Sequence, residues 1–424
     1  MKIKTLSAVL ANLFLLSNLA MANEHIAPKV SVQEKNPCQE KSFWETNFPQ
    51  GQFTGFYSQM TNDVISQAQF QFANHYYNGS IFNKDLSRAL DLYERSHARG
   101  NNQAAGKLGL MYRYGLSTDK DYQKAYVYYQ SVADKNPEAQ FNLGLMHRYG
   151  IGTSKDYGKA FAYFKQASGI QSVTENNCQV EIEGMIEAQY QLGQMYHYGM
   201  GVSRDLKQAL VWYQTAADQG LKEAQFNTAK LILSGIGDRY DYDGAIQYYQ
   251  HAAEQGLVEA QLNLAQQFHY NDHQKDYLKA HHWYTKAAKQ GSLKAEFNLG
   301  LMEHFGHGVY PNYQKALLHY QKAATAQQPE AFLNIAHIHY YGLGKSVDYL
   351  KAYEYYSIAA NHNFPQAEYH LGVMNEHGQG TSIDIDLAKD YYQRSADKGN
   401  SDAQFALKNL PVKEPDGLDL LASN

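Results

Sequence analysis

The sequence predicts an all-α protein, a solenoid of about nine helix-turn-helix repeats of 35 or 36 residues that ends in a half-repeat. Three observations predict it: an alanine returns at nearly constant spacing, a glycine follows it after eleven residues in all units but one, and an aspartate or asparagine follows about six residues later. Self-similarity at such a period is the signature of a repeat array. The recurring alanines are Ala68, Ala104, Ala139, Ala188, Ala224, Ala260, Ala295, Ala331, Ala367 and Ala403.

The first helix of each unit, helix A, begins near the alanine. In the fourth unit Ala188, Leu192 and Tyr196 are spaced by four, so they share one face of a helix. Gly193 has no side chain, which lets a neighbouring helix approach closely. We expect Gly199 to end helix A in the left-handed conformation, and Asn271 to take that conformation in the sixth unit.

The second helix, helix B, begins after the aspartate. Asp205 is a suitable N-cap, and Gly220 ends the helix. Ala209, Trp212-Tyr213 and Ala216-Ala217 form its apolar face. Small residues on one helix receive large aromatic residues from the next, so each hairpin depends on its neighbours for burial.

The N-terminus predicts export. Lys2 and Lys4 precede an apolar stretch from Leu6 to Leu19, and Ala20-Met21-Ala22 is a cleavage signal before Asn23. These features predict a signal peptide at residues 1–22, cleaved between Ala22 and Asn23, and no integral membrane segment after its removal. The periplasm is the favoured location, with the extracellular space as the alternative.

The remaining segments follow from the repeat pattern. Residues 23–65 form an N-terminal non-repeat segment, 66–168 repeats 1–3, 188–402 repeats 4–9, 403–411 a capping helix and 412–424 a disordered tail. Residues 169–187 are an insertion that either lengthens helix B of repeat 3 or bulges out as a loop. In both cases we expect it to split the array into three plus six repeats. Phe405, Leu407 and Leu410 are the predicted apolar positions of the cap.

The repeat resembles the Sel-one-like repeat family, relatives of the tetratricopeptide repeats. The resemblance rests on A-x-x-x-L-G-x-x-Y-x-x-G in helix A and D-x-x-x-A-x-x-[WY]-Y-x-x-A-A-x-x-G in helix B, both complete from Ala188 to Gly220. It covers residues 66–410 and implies a right-handed superhelix of antiparallel helix pairs. It also implies an adaptor that assembles protein complexes, many of which lie in bacterial envelopes.

The composition and the motifs exclude several classes of function. A net charge of −5 excludes a nucleic-acid binder that neutralises phosphates with a basic face. The sequence predicts no catalytic, cofactor-binding or metal-binding residues, since no histidine lies in an H-E-x-x-H motif. Stacking of adjacent repeats could still bring His269 near His304.

Cys38 and Cys178 are the only cysteines. In an oxidising compartment they could form an intramolecular disulfide, with free or intermolecular thiols as the alternatives. Cysteine-rich relatives have disulfides within each repeat, and the two cysteines of this chain do not follow that pattern.

Helix A carries the predicted binding groove. An amide stands three residues after the alanine in most repeats, and amides in tetratricopeptide domains hydrogen-bond a partner's backbone at the corresponding position. Six and seven residues further on come pairs of a cation or histidine with an aromatic residue, typical of interaction hot spots. The alternative is that these side chains only join and pack neighbouring helices. The candidates are Asn142, Asn227, Asn263, Asn298, Asn334, Arg113, Arg148, His197, His269 and His304.

The predicted function is a non-enzymatic, exported interaction scaffold in the bacterial cell envelope, whose partners are proteins or envelope components. Two alternatives remain: an envelope enzyme linked to β-lactams or peptidoglycan, as are some cysteine-rich relatives, and a secreted factor that acts on a host cell. This chain lacks the cysteines of those relatives, which counts against the enzyme alternative. The sequence does not specify the oligomeric state.

Overall fold

The computed structural model describes residues 57–410, except 170, 176–177, 183, 238–240, 273–274 and 326–327. The predicted signal peptide, its cleavage between Ala22 and Asn23, Cys38 and the tail from residue 412 lie outside the described residues, as does most of the 23–65 segment. No helix in the described part is long and apolar enough to cross a membrane.

Helices A and B alternate as predicted; odd numbers below are helices A and even numbers helices B. In chain order they are α1 (Tyr57–Asn78), α2 (Leu86–Ala98), α3 (Asn102–Tyr114), α4 (Tyr122–Gln130), α5 (Pro137–Tyr149), α6 (Tyr157–Ala167), α7 (Ile186–Tyr198), α8 (Leu206–Asp218), α9 (Lys222–Leu233), α10 (Tyr242–Glu254), α11 (Val258–Tyr270), α12 (Tyr277–Lys289), α13 (Leu293–Phe305), α14 (Tyr313–Ala323), α15 (Glu330–Tyr341), α16 (Tyr349–Asn361), α17 (Pro365–His377), α18 (Ile385–Asp397) and α19 (Ser401–Asn409). A short 3₁₀ turn, Ala133–Lys135, follows α4.

The contacts divide the chain into two units, residues 1–139 with 170–183 and residues 140–169 with 184–424. In the described part of the first unit α1 packs on α2, α2 on α3 and α3 on α4. In that of the second, each helix from α6 to α19 packs on the next one in sequence. This succession of paired helices confirms the predicted α-solenoid.

Close approach at the helix A glycine is also confirmed. A Cβ on Gly193 would lie 2.5 Å from Cδ1 of Tyr213, a fully buried ring of α8. Equivalent glycines face an aromatic ring of helix B in four further repeats: Gly109 on Tyr129, Gly144 on Phe164, Gly300 on Tyr320 and Gly372 on Tyr392. The missing side chain therefore makes room for the central aromatic residue of the repeat.

The predicted caps hold in repeat 4 and fail in one place. Gly199 ends α7 with φ of +69°, and the Asp205 carboxylate accepts from the N–H groups of Lys207 and Gln208. Asn271, however, has φ of −81° and is extended, so the left-handed end predicted for it is wrong. A left-handed conformation costs a side-chain-bearing residue more than glycine. The Asp276 N–H still donates to the Phe268 carbonyl, as the Asp205 N–H does to the Tyr196 carbonyl in repeat 4.

The insertion is neither a longer helix nor an irregular loop. Helix α6 stops at Ala167, and the insertion forms two antiparallel strands, β1 (Gln171–Glu175) and β2 (Cys178–Ile182), with Val173 opposite Val180. Alternating polar and β-branched residues suit strands better than a helix.

The expected split into three plus six repeats is wrong as well. Phe164 of repeat 3 and Leu192 of repeat 4 belong to one buried cluster. The Met185 N–H donates to the Ala167 carbonyl at 2.8 Å, so the chain leaves and re-enters the array at neighbouring points. The insertion is therefore an excursion that does not interrupt the stacking.

Helix α19 packs on α18 as a terminal half-repeat. Leu407 and Leu410 contact the cluster around Tyr392, as predicted for a cap. Phe405 does not: its side chain is 71% exposed. In six preceding repeats the aromatic residue at this position packs on the central ring of helix B, at centroid distances of 5.6–5.8 Å. No helix B follows α19 among the described residues.

Candidate protein-interaction surface

One stripe of helix A carries five of the ten predicted groove residues, the asparagines at +3, and the other five lie at +9 beside its end. The positions concerned are −1, +3, +6 and +10, counted from the recurring alanine. Successive positions are four, three and four residues apart, close to one turn of 3.6 residues, so the four side chains lie along one face of the helix. The stripe is about 16 Å long at 1.5 Å per residue. We call these four positions, repeated along the array, the helix A surface.

Position +10 is a row of exposed aromatic rings. Each is the last residue of its helix A, and each is 54–65% exposed. The first unit contributes Tyr114, and the second contributes Tyr149, Tyr198, Tyr270, Phe305 and Tyr341. A single large exposed ring is common on protein surfaces, but five rings exposed at the same position of the second unit's repeats form a patterned surface there.

The residue at +9 packs on the ring at +10, as the sequence pairs indicated. The guanidinium groups of Arg113 and Arg148 lie 5.3 and 5.4 Å from the ring centroids of the next residues. His197, His269 and His304 stack on their following rings at 4.6, 4.1 and 4.6 Å.

The surroundings of the three histidines disfavour their charged forms. Burial lowers the pKa of His197 and His304, and burial together with His307 lowers the pKa of His269 to about 4. The Nδ1 atoms of His269 and His304 lie 3.5 Å from the hydroxyls of Tyr284 and Tyr320. These histidines are thus neutral aromatic groups that face the central tyrosine of helix B.

Four of the asparagines at +3 each donate a hydrogen bond to their own helix. The Nδ2 group donates to the carbonyl four residues earlier, at distances of 2.8–3.1 Å. The residues that do so are Asn227, Asn263, Asn298 and Asn334. Two of the five predicted asparagines, Asn142 and Asn298, are 8% and 7% exposed. At least one of the two Nδ2 donors of each of these four amides is therefore used within the protein.

The acceptor half differs between repeats. The Oδ1 of Asn298 accepts from the Tyr270 hydroxyl at 2.9 Å. Asn263 and Asn334 are half-buried, and within the described residues neither Oδ1 receives a hydrogen bond. These two side chains present a carbonyl-like acceptor to a bound segment.

Neighbouring repeats meet where the +9 or +10 side chain of one repeat contacts the +3 residue of the next. The Arg148 guanidinium donates to Gln191 and, at 2.8 Å, to Gln194. The Tyr341 ring lies 6.2 Å from the His370 ring, a T-shaped contact. Sequence reasoning missed these junctions, because single-repeat patterns do not show which positions of two repeats touch.

Position −1 adds carboxylates that sequence reasoning did not single out. Glutamate precedes the recurring alanine in five repeats: Glu138, Glu187, Glu223, Glu259 and Glu330. Acidic residues in the first turn also stabilise the helix through its dipole, so these glutamates have a second, structural role. The recurrence itself was the signal that could have identified them.

A histidine pair forms, but not the expected one. His269 Nε2 lies 2.8 Å from Nδ1 of His307, in the turn after α13, and His307 stacks on Tyr277 at 4.7 Å. His304 packs on Tyr313 and Tyr320 instead. Within the described residues no three His, Cys, Asp or Glu side chains are grouped as metal ligands.

The array is similar to solved repeat proteins. A protective antigen from uropathogenic Escherichia coli with an SLR fold is 27% identical, with a TM-score of 0.52, over 88% of this chain and 82% of that one. A Sel1 repeat protein from Oxalobacter formigenes is 26% identical, with a TM-score of 0.54, over 76% of this chain and 91% of that one. No curated protein sequence matches the chain.

The family model for the Sel1 repeat matches nine times and covers most of the chain. The matched residues are 66–101, 102–136, 137–168, 186–221, 222–257, 258–292, 293–327, 329–364 and 365–400. The nine matches coincide with the nine helix pairs seen in the structure. The chain therefore belongs to the Sel1 repeat family, whose units are tetratricopeptide-like.

Proposed function

We propose that this chain is an exported scaffold that binds an extended segment of a partner protein along the helix A surface. Sel1 repeats generally serve as protein interaction scaffolds and are typically not catalytic. The observation that carries the proposal is the row of exposed rings at +10. Partly exposed tyrosines offer a large apolar area with little rotamer entropy to lose, which makes them effective contact residues.

Export to the cell envelope is part of the proposal. Lys2, Lys4, the apolar stretch and the A-x-A sequence before Asn23 support it. The similar Escherichia coli chain is a protective antigen, which supports a location outside the cytoplasm. Fractionation of cells and medium tests this part: recovery in the periplasm agrees with an envelope scaffold, recovery in the medium favours a secreted factor, and cytoplasmic recovery refutes export.

Photo-crosslinking in living cells tests the binding surface. A photoreactive residue replaces Asn263 at +3 of repeat 6, and the matched control replaces Gln247, which is exposed on helix B of repeat 5. Mass spectrometry identifies the captured protein. We expect one dominant partner from residue 263 and none from residue 247.

Equal capture from both positions, or none from either, would refute the helix A surface as the binding site. The enzyme alternative is tested separately with purified protein and a chromogenic β-lactam. Hydrolysis above the rate in buffer would contradict the non-catalytic scaffold.

A further inference from the structure

We infer that the helix A surface of repeats 4–6 recognises a cationic segment, an extended stretch of a partner that carries lysine or arginine side chains. This inference rests on the proposed function and specifies the chemistry of the partner. It depends on three kinds of electron-rich group that the stripe brings together: carboxylates, aromatic faces and amide oxygens.

The carboxylates come first. At positions −1, +3, +6 and +10 of these three repeats the charged residues are Glu187, Glu223 and Glu259, with Lys230 as the single cation. Glu187 and Glu259 are exposed and Glu223 is half-buried. Arg148 of repeat 3 adds a second cation where it donates to Gln191 and Gln194 of repeat 4. Three negative charges against these two positive ones leave the stretch with a net charge of −1, and charge complementarity favours a basic partner.

The aromatic faces lie at the other end of the same helices. Tyr198 and Tyr270 are 65% and 54% exposed, and a ring face attracts ammonium and guanidinium groups. The side chains stacked on these two rings are His197 and His269. Burial lowers the pKa of both, with a smaller contribution from Arg204 and Lys230 at His197 and from His307 and Lys275 at His269. No charged group of the protein therefore occupies the +9 position beside either ring, unlike Tyr149, over which Arg148 lies.

The amide oxygens lie between them. Asn263 donates one Nδ2 hydrogen to the Glu259 carbonyl, which orients the amide and leaves Oδ1 as an acceptor and the second Nδ2 hydrogen as a donor. Asn227 is held in the same way by the Glu223 carbonyl. Acceptors at this point suit the N–H donors of a peptide backbone or of arginine.

Two basic residues bound this stretch: Lys294 at position −1 of repeat 7, and Arg148 at position +9 of repeat 3, whose own −1 residue is Glu138. Arg148 donates to Gln191 and Gln194 at the junction with repeat 4. Repeats 4–6 thus form a window with a basic residue on each side. A cationic segment about three repeats long fits this window.

The test is a fluorescence anisotropy titration of the full-length protein with three short labelled peptides. One alternates Lys and Arg with Gly and Ser, the second has Gln at the basic positions, and the third has Glu there. We expect the basic peptide to bind, the other two to bind at least about tenfold more weakly, and the affinity to fall as salt is raised.

Variants locate the binding. The triple variant Glu187→Gln, Glu223→Gln, Glu259→Gln is expected to weaken the basic peptide about tenfold. The matched control, Asp243→Asn, Glu254→Gln, Glu354→Gln, makes the same charge change at exposed helix B positions and is expected to have less than about a threefold effect. Tyr198→Leu keeps an apolar side chain, removes the ring and should cost about threefold. Circular dichroism verifies that every variant is folded.

Equal binding of the three peptides, no binding of the basic one, or equal weakening by the two triple variants would overturn the inference. Its failure is distinguishable from failure of the proposed function. A partner captured in cells from residue 263, together with no preference for the basic peptide, would retain the scaffold and refute the cationic partner. No capture in cells would refute the scaffold itself.

Discussion

At the scale of single residues, one buried aromatic ring organises each repeat. Tyr213 of repeat 4 lies over the bare backbone of Gly193 and beside the ring of His197. Tyr320 repeats the arrangement with Gly300 and His304. Tyr284 lies beside His269 in the same way, in a repeat that has Ala265 in place of the glycine. The +9 side chain therefore serves two neighbours, the buried hydroxyl of helix B and the exposed ring at +10. Its chemistry is constrained from inside the repeat as well as by any partner.

Gly193→Ala is expected to destabilise the protein by about 1–3 kcal/mol, because the new methyl group would overlap Tyr213 in a well-packed interior. Chemical denaturation followed by circular dichroism measures the loss. Gly158→Ala is the control: this glycine begins α6, and a Cβ there meets nothing closer than 3.4 Å. That variant should be neutral or slightly more stable, and a loss as large as that of Gly193→Ala would contradict the packing argument.

His269 makes stability depend on pH. Its side chain is 2% exposed and its pKa is lowered from 6.5 to about 4, so the unfolded chain binds more protons between these values. Stability is therefore fully present above pH 6.5 and falls as pH drops toward 4, by at most about 1.4 kcal/mol per pH unit for this group.

Thermal melts at pH 7 and pH 5 measure the effect. We expect the midpoint to fall less between these pH values in His269→Gln than in the unmodified protein. His251→Gln, an exposed histidine of α10, is the control and should leave the pH dependence unchanged. The same pH dependence in all three proteins would exclude His269 as a source.

At the scale of helices, the caps define where each helix begins and ends. Asp205→Ala removes a carboxylate that two backbone N–H groups of α8 share, and is expected to cost about 1 kcal/mol. Asp243→Ala removes an acidic residue from the first turn of α10 without removing its cap, which is Asp241. It should cost a few tenths of a kcal/mol. Equal losses in denaturant melts would show that general charge, and not capping, is responsible.

The elements also show how far the sequence predicts the structure. Repeat spacing alone predicted both helices of each unit, the cap at Asp205 and the close contact at Gly193, because these depend on neighbours within one repeat. The hairpin was missed although Val173, Val180 and Ile182 are β-branched, because the argument only extended the helical pattern. The exposure of Phe405 depends on which helix comes next, which no pattern inside α19 shows.

The candidate site divides in the same way. The sequence predicted the pairs at +9 and +10, and the structure places each pair in contact. It did not predict that burial keeps His269 neutral, because that depends on the surrounding helices. Nor did it predict that the Asn263 donor is used by its own helix.

At the scale of the whole molecule, repeats 3 and 4 pack together although the inserted hairpin separates them in sequence. Replacing residues 171–182 with a short Gly-Ser linker should leave repeats 3 and 4 stacked, because Met185 and Ala167 are already hydrogen-bonded and Phe164 and Leu192 share one cluster. Hydrogen exchange measures this: amides of α6 and α7 should keep their protection. Lost protection confined to these two helices would show that the hairpin holds the junction together.

The contact between one repeat's last residues and the next repeat's +3 side chain has a consequence for how the surface can change. Tyr270 with Asn298, and Arg148 with Gln191, each belong to two repeats at once. A substitution at +9 or +10 therefore alters the acceptor or donor that its neighbour offers. Each junction between two repeats is therefore one contact site for a partner. Exchanging a single repeat should change the binding preference of the two junctions that flank it. Moving two adjacent repeats together should preserve the junction between them.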